Sequence, residues 1–114
     1  MSRNLNLYLT DILNSIDKIE RYVGEMSQQE LTQNEQAYEA VVFNLQIIGE
    51  AAKSIPEDRR KLYPQVSWKK VVGLRNIIVH TYFALSEDVI WDIIQTKLSG
   101  LKECVSLMKN EEEK

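Results

Sequence analysis

"LNLYLTDILNSIDKIERYVG", from Leu5 to Gly24, decides the fold. Its apolar residues Leu5, Leu9, Ile12, Ile16, Ile19 and Val23 are spaced 4, 3, 4, 3 and 4 apart. That rhythm marks one face of an α-helix held for about five turns. Gly24 is suited to end it, because glycine takes the left-handed conformation of a helix stop without strain. Downstream, Ala37, Val41, Leu45, Ile48, Ala52 and Ile55 form a second stripe, closed by Pro56. Between the two stripes, "EMSQQELTQN" (25–34) reads as a polar connector.

"PEDRRKLYPQVS" (56–67) reads as a loop with room for one helical turn. Ser67 is placed to cap a third helix from Trp68 to His80 or Tyr82. Ser86 is placed to cap a fourth, with Glu87 and Asp88 in the first turn, where the helix dipole favours acids. Its expected stripe is Val89, Ile93 or Ile94, Leu98 or Leu101, Val105 and Met108; the closing "NEEEK" is a solvated tail. Short links and four amphipathic helices predict an all-α, antiparallel four-helix bundle, with room for an extra short helix, as one domain over 1–114.

Composition narrows the function. With 114 residues and 44% apolar content, a real core is affordable, while four glycines and two prolines leave little for a hairpin-rich β fold. No apolar run approaches the roughly 20 residues of a membrane span. Acids interrupt the N-terminal stripe, so it does not read as a signal peptide, and the cytoplasm is the expected location. Cys104 and His80 are each the single residue of their kind, so no disulfide, metal site or cofactor is expected. Charge is uneven. Residues 51–80 hold seven basic residues against two acidic ones, a balance of +5, and the remainder holds seven against fifteen, or −8. Such a split can draw an anionic ligand to one region.

That basic region ends in "GLRNIIVHTYF", Gly73 to Phe83. Arg75 and Tyr82 are seven residues apart and share a helix face with Val72 and Val79. His80 follows Arg75 by five, roughly 140° round an ideal helix. The pair would face one point only if the helix loosened at its end. Singly, each residue suits a plain role: an arginine stem over valines, a C-terminal histidine, a packed tyrosine. Together they suit phosphodiester chemistry. To cleave RNA, the 2′-hydroxyl must lose a proton and the 5′-oxygen must gain one. Histidine is the natural carrier near neutral pH, and arginine is the natural phosphate fork. Two transfers want two histidines. A symmetric dimer supplies them, with two arginines, across its two-fold axis.

"RNIIVHTY" (75–82) matches the R-x4-H-x-Y pattern of the HEPN superfamily. With "YLTDILNSIDKIERYV" (8–23), "NLQIIGEAAKSIP" (44–56) and "YPQVSWKKVVGLRNIIVHTYF" (63–83), the chain resembles the HepT ribonuclease toxins of HepT/MntA-type toxin–antitoxin pairs, over most of its length. The resemblance implies a helical homodimer joined through the motif helices and metal-independent RNA cleavage by Arg75 and His80. It also implies a partner, an MntA-like nucleotidyltransferase antitoxin that transfers AMP to Tyr82. The alternative is a non-catalytic HEPN module that binds nucleotide or substrate for a nucleotidyltransferase. Around the motif, Lys69, Lys70, Arg59, Arg60 and Asn76 are candidates to meet RNA. Glu50 is a candidate to support Arg75, or else a solvated helix position, and Asn44 on the same helix is similar. Trp68, Trp91 and Cys104 read as core or interface.

Overall fold

The computed structural model describes residues 3–80 and 86–112, with Arg3 and residues 77–80 described by backbone alone. Every described element is helical. In chain order they are α1 (Arg3–Val23), α2 (Gln28–Gln33), α3 (Glu35–Ser54), α4 (Glu57–Arg60), α5 (Trp68–His80), α6 (Glu87–Asp92) and α7 (Leu98–Glu112). A π-helical turn, Ile93–Lys97, joins α6 to α7.

The α1 stripe is the spine. Leu5, Leu9, Ile12, Ile16, Ile19 and Val23 are all at most 5% exposed, with Ile12, Ile16 and Ile19 sealed completely. Burying each such side chain contributes about 1.5–3 kcal/mol. Gly24 ends α1 at a φ of +52° and donates its N–H to the Glu20 carbonyl at 2.9 Å. α3 packs against α1 and presents its other flank to α5, while α7 packs on α1. Lys102 bridges to Glu20 at 3.0 Å, tying the start of α7 to the end of α1. Arg59 bridges to Glu112 at 3.3 Å, tying the end of α7 to α4. These two ties run α7 antiparallel to α1, as the bundle requires.

Two expectations need correction. The polar connector is not polar throughout: Gln28–Gln33 is helical, and Leu31 in it is only 2% exposed. Ser27 and Glu30 form a reciprocal cap. The Ser27 hydroxyl accepts from the Glu30 N–H at 3.1 Å, and the Glu30 carboxylate accepts from the Ser27 N–H at 3.0 Å. These bonds also hold the Glu30 carboxyl below its usual pKa. Asn34 then caps α3 through Ala37 N–H at 3.1 Å.

The second correction concerns Val89, which is 50% exposed, while Ile90 is sealed at 1%. From Ile90 the stripe runs through half-buried Ile94 to Leu98, Leu101, Val105 and Met108. Ile90 and Leu98 are eight residues apart, more than two ordinary turns cover. The π turn between them absorbs the excess residue and returns Leu98 to the core face. Ser86 does cap α6, its hydroxyl accepting from Val89 N–H at 3.4 Å.

The 56–67 segment carries one helical turn, α4, and then plugs the end of the bundle. Tyr63 is 8% exposed. Its hydroxyl donates to the Glu111 carboxylate, and its carbonyl accepts the Trp68 indole N–H at 3.0 Å. Burial, with Glu111 alongside, pushes the Tyr63 phenol up to about 12. Cys104 is buried in the core, and that burial raises its thiol pKa. None of the described helices is long and apolar enough to cross a membrane.

Candidate active site

The site is built on the seam between α3 and α5. Gly49, buried in the middle of α3, brings the two backbones together. A Cβ at that position would lie 2.8 Å from the Arg75 backbone nitrogen and 3.2 Å from the Val71 carbonyl. Neither backbone atom can swing aside as a flexible side chain could. Glycine is therefore the residue that lets α5 lie this close, at a cost of about 1 kcal/mol in helix propensity.

Close packing at Gly49 places Arg75 beside the next residue of α3. The Glu50 carboxylate accepts from Arg75 Nε at 3.4 Å. Both side chains are substantially open, at 40% and 52%. An exposed pair of this kind adds at most about 1 kcal/mol to stability. Its larger effect is on geometry. One of the five guanidinium donors is fixed against Glu50, and the head group stays at the surface, where a phosphate can reach it.

α5 remains helical through His80. By helical register, His80 is then about 140° round the axis from Arg75. The expected loosening at the helix end concerns Thr81 and Tyr82, which lie outside the described residues.

The other candidates separate. Arg60 and Lys69 line a common groove at the α4–α5 junction. Arg59 turns instead to Glu112. Lys70 and Asn76 are exposed on α5. Asn44 is not a solvated position: it is 4% exposed, and its amide donates to the Ala40 carbonyl at 2.8 Å. Trp68 belongs to the core at 7% exposed, and Trp91 is partly buried. Among the described residues, no cluster of three or more His, Cys, Asp or Glu side chains could hold a metal ion.

Gly49 and Phe43 escaped the sequence reading. An interior glycine in an otherwise good helix, "IIGEAA", was the available signal for the first. Phe43 is 61% exposed and lies on the α3 stripe that continues through Ile47 to Glu50. A large aromatic left open two turns before Glu50 on the same helix is the kind of residue an interface covers.

Comparison with known proteins converges on one family. The family described as HepT-like ribonucleases matches residues 12–108. A candidate RNase of Methanocaldococcus jannaschii is 34% identical over 95% of this chain and 90% of its own length. A second from that organism is 34% identical over 93% of this chain and 97% of its own. A protein of Thermococcus cleftensis named probable ribonuclease HepT is 32% identical over 90% of this chain and 93% of its own. No solved structure matches the chain. Its helical bundle, its Arg75-bearing third long helix and these full-length likenesses agree: the chain belongs to the HepT-like ribonuclease family.

Proposed function

We propose that the chain is the toxin of a type VII toxin–antitoxin pair, a metal-independent RNA endonuclease whose site is completed by a second copy of itself. The observation that supports this is Arg75, in the basic segment 51–80 and held open to solvent beside Glu50. Helical register sets His80 about 140° from Arg75 round α5, which favours a site drawing on both protomers. A two-fold dimer through the face bearing Val72, Arg75, Val79 and Tyr82 would supply two of each. Exposed Phe43, two turns before Glu50 on α3, supports an interface here.

In the proposed reaction, one His80 takes the proton of the 2′-hydroxyl as its oxygen attacks phosphorus. The bond to the 5′-oxygen breaks, and that oxygen takes a proton from the second His80. The products are a cyclic phosphate and a 5′-hydroxyl. Arg75 meets the added negative charge of the phosphorane. Purified protein should cleave RNA in the presence of a chelator, and His80→Ala should cost about 10²–10⁴-fold in rate. Cleavage that stops with EDTA and returns with magnesium would overturn the metal-free mechanism.

Control is proposed to act at Tyr82. A partner nucleotidyltransferase would transfer AMP to the phenol, and the added phosphate would occupy Arg75 and repel RNA. After co-expression with such a partner, mass spectrometry should find the adduct on the Tyr82 peptide, and Tyr82→Phe should resist the antitoxin. A Phe variant still neutralised, with the wild-type peptide unmodified, would rule the switch out.

A further inference from the structure

A groove of about 570 Å³ opens where α4 meets α5. One wall is Pro64 and the edge of Trp68, an indole held in place by its bond to the Tyr63 carbonyl. Arg60, Lys61 and Lys69 surround it, with Glu57 as the single acid among the lining residues. Glu57 offsets little. Its contact with Lys61 is 3.7 Å long, and both side chains are 74% exposed, so solvent screens the pair. Val72 forms the far rim and lies one helical turn before Arg75 on the same helix. From Lys69 to Arg75 the rise along α5 is roughly 9 Å. The groove's far rim at Val72 therefore lies one helical turn from the arginine proposed to hold phosphate.

We propose that this groove is a subsite for the RNA strand beside the cleaved phosphodiester. Lys61 and Lys69 hold backbone phosphates, and the Pro64–Trp68 wall receives a base or ribose. Three features favour a polyanion with flat apolar parts. The lining carries a net positive charge, it pairs those cations with a rigid apolar wall, and it opens beside a residue proposed to hold phosphate. Single-stranded nucleic acid combines the same two elements, charge along its backbone and stacking surfaces beside it. The assignment rests on the ribonuclease reading and adds to it where the substrate runs.

The test measures binding in the His80→Ala background, so that cleavage does not consume the probe. The probe is an unstructured, labelled RNA of about a dozen nucleotides. Lys61→Ala with Lys69→Ala should weaken binding about tenfold or more at low salt. The slope of log affinity against log salt should fall by about 1.4, from two lost phosphate contacts at about 0.7 each. Lys18→Ala with Lys97→Ala removes the same charge from exposed sites on α1 and the π turn, and should change little. Helix content measured by circular dichroism confirms that both double variants fold. Equal losses from the two pairs would reduce the groove to part of a general field and overturn the subsite. So would unchanged RNA affinity, and if the dimer mass shifted at the same time, the groove would belong to a contact between copies. Wild-type cleavage is followed in parallel. An active wild type with an unaffected lysine pair defeats the subsite alone. An inactive wild type with the groove-specific loss defeats the catalytic reading and leaves the groove an RNA site.

Discussion

α3 meets two neighbours in two ways. Against α1 it packs large aliphatic side chains, sealed from water and recurring with helical period. Against α5 it packs a glycine, and the gain is closeness between backbones. The first seam holds the bundle together. The second sets the place of one arginine. Stability and the proposed chemistry therefore rest on different flanks of one helix, and they should fail separately.

Substitution at the two seams tests that separation. Arg75→Ala should lower RNA cleavage by about 10²–10³-fold, the scale for losing a donor to developing charge, while the melting temperature stays close to wild type. Leu9→Ala should cost about 2–5 kcal/mol in denaturant unfolding, with per-molecule activity largely kept in the fraction that folds. A large melting shift from the arginine variant would break the comparison.

The glycines sharpen it. Alanine in place of a mid-helix glycine ordinarily stabilises by about 1 kcal/mol. At Gly100 in α7, an added Cβ meets nothing within 4 Å, and Gly100→Ala should show that gain. At Gly49 the Cβ would strike the α5 backbone, and overpacking of this kind costs about 1–3 kcal/mol. Gly49→Ala should therefore destabilise and also reduce cleavage, by moving Arg75. Equal effects at the two glycines in chemical denaturation would show that the α3–α5 approach is not tight.

An effect confined to alkaline pH lies at the plugged end of the bundle, away from both seams. The folded state raises the Tyr63 phenol from its ordinary value near 10 to about 12, so it favours the protonated form. That contribution is complete below pH 10 and is lost as pH rises from 10 to 12. Tyr63→Phe should lack this part of the alkaline decline. Parallel pH-stability curves for the two proteins would contradict the part-buried Tyr63–Glu111 bond.

The sequence was legible where side-chain chemistry repeats with helical period. The α1 stripe could be read position by position because six large aliphatic residues mark one face. Leu31 was missed because polar neighbours outweighed the Ser27–Glu30 cap signal. Val89 was preferred to Ile90 because period counting assumes uniform turns, and a π turn breaks that assumption. Gly49 could not be read as a contact, since how closely two helices approach depends on residues 26 positions apart. Arg75 and Glu50 were visible as candidates, and only the fold set them 3.4 Å apart. His80 and Tyr82 were singled out by the R-x4-H-x-Y pattern, and their roles still rest on that resemblance.

The central claim is a catalytic site shared between two copies. Mixing wild-type protein with excess His80→Ala protein, under conditions that exchange subunits, tests it directly. The mixed dimer keeps both Arg75 side chains and only one His80. The mechanism needs one His80 for each proton transfer, so it predicts that cleavage falls with the share of wild-type homodimer, well below simple dilution. Mixed dimers confirmed by mass spectrometry that cleave at half the wild-type rate or more, or a wild type that cleaves as a monomer, would contradict it.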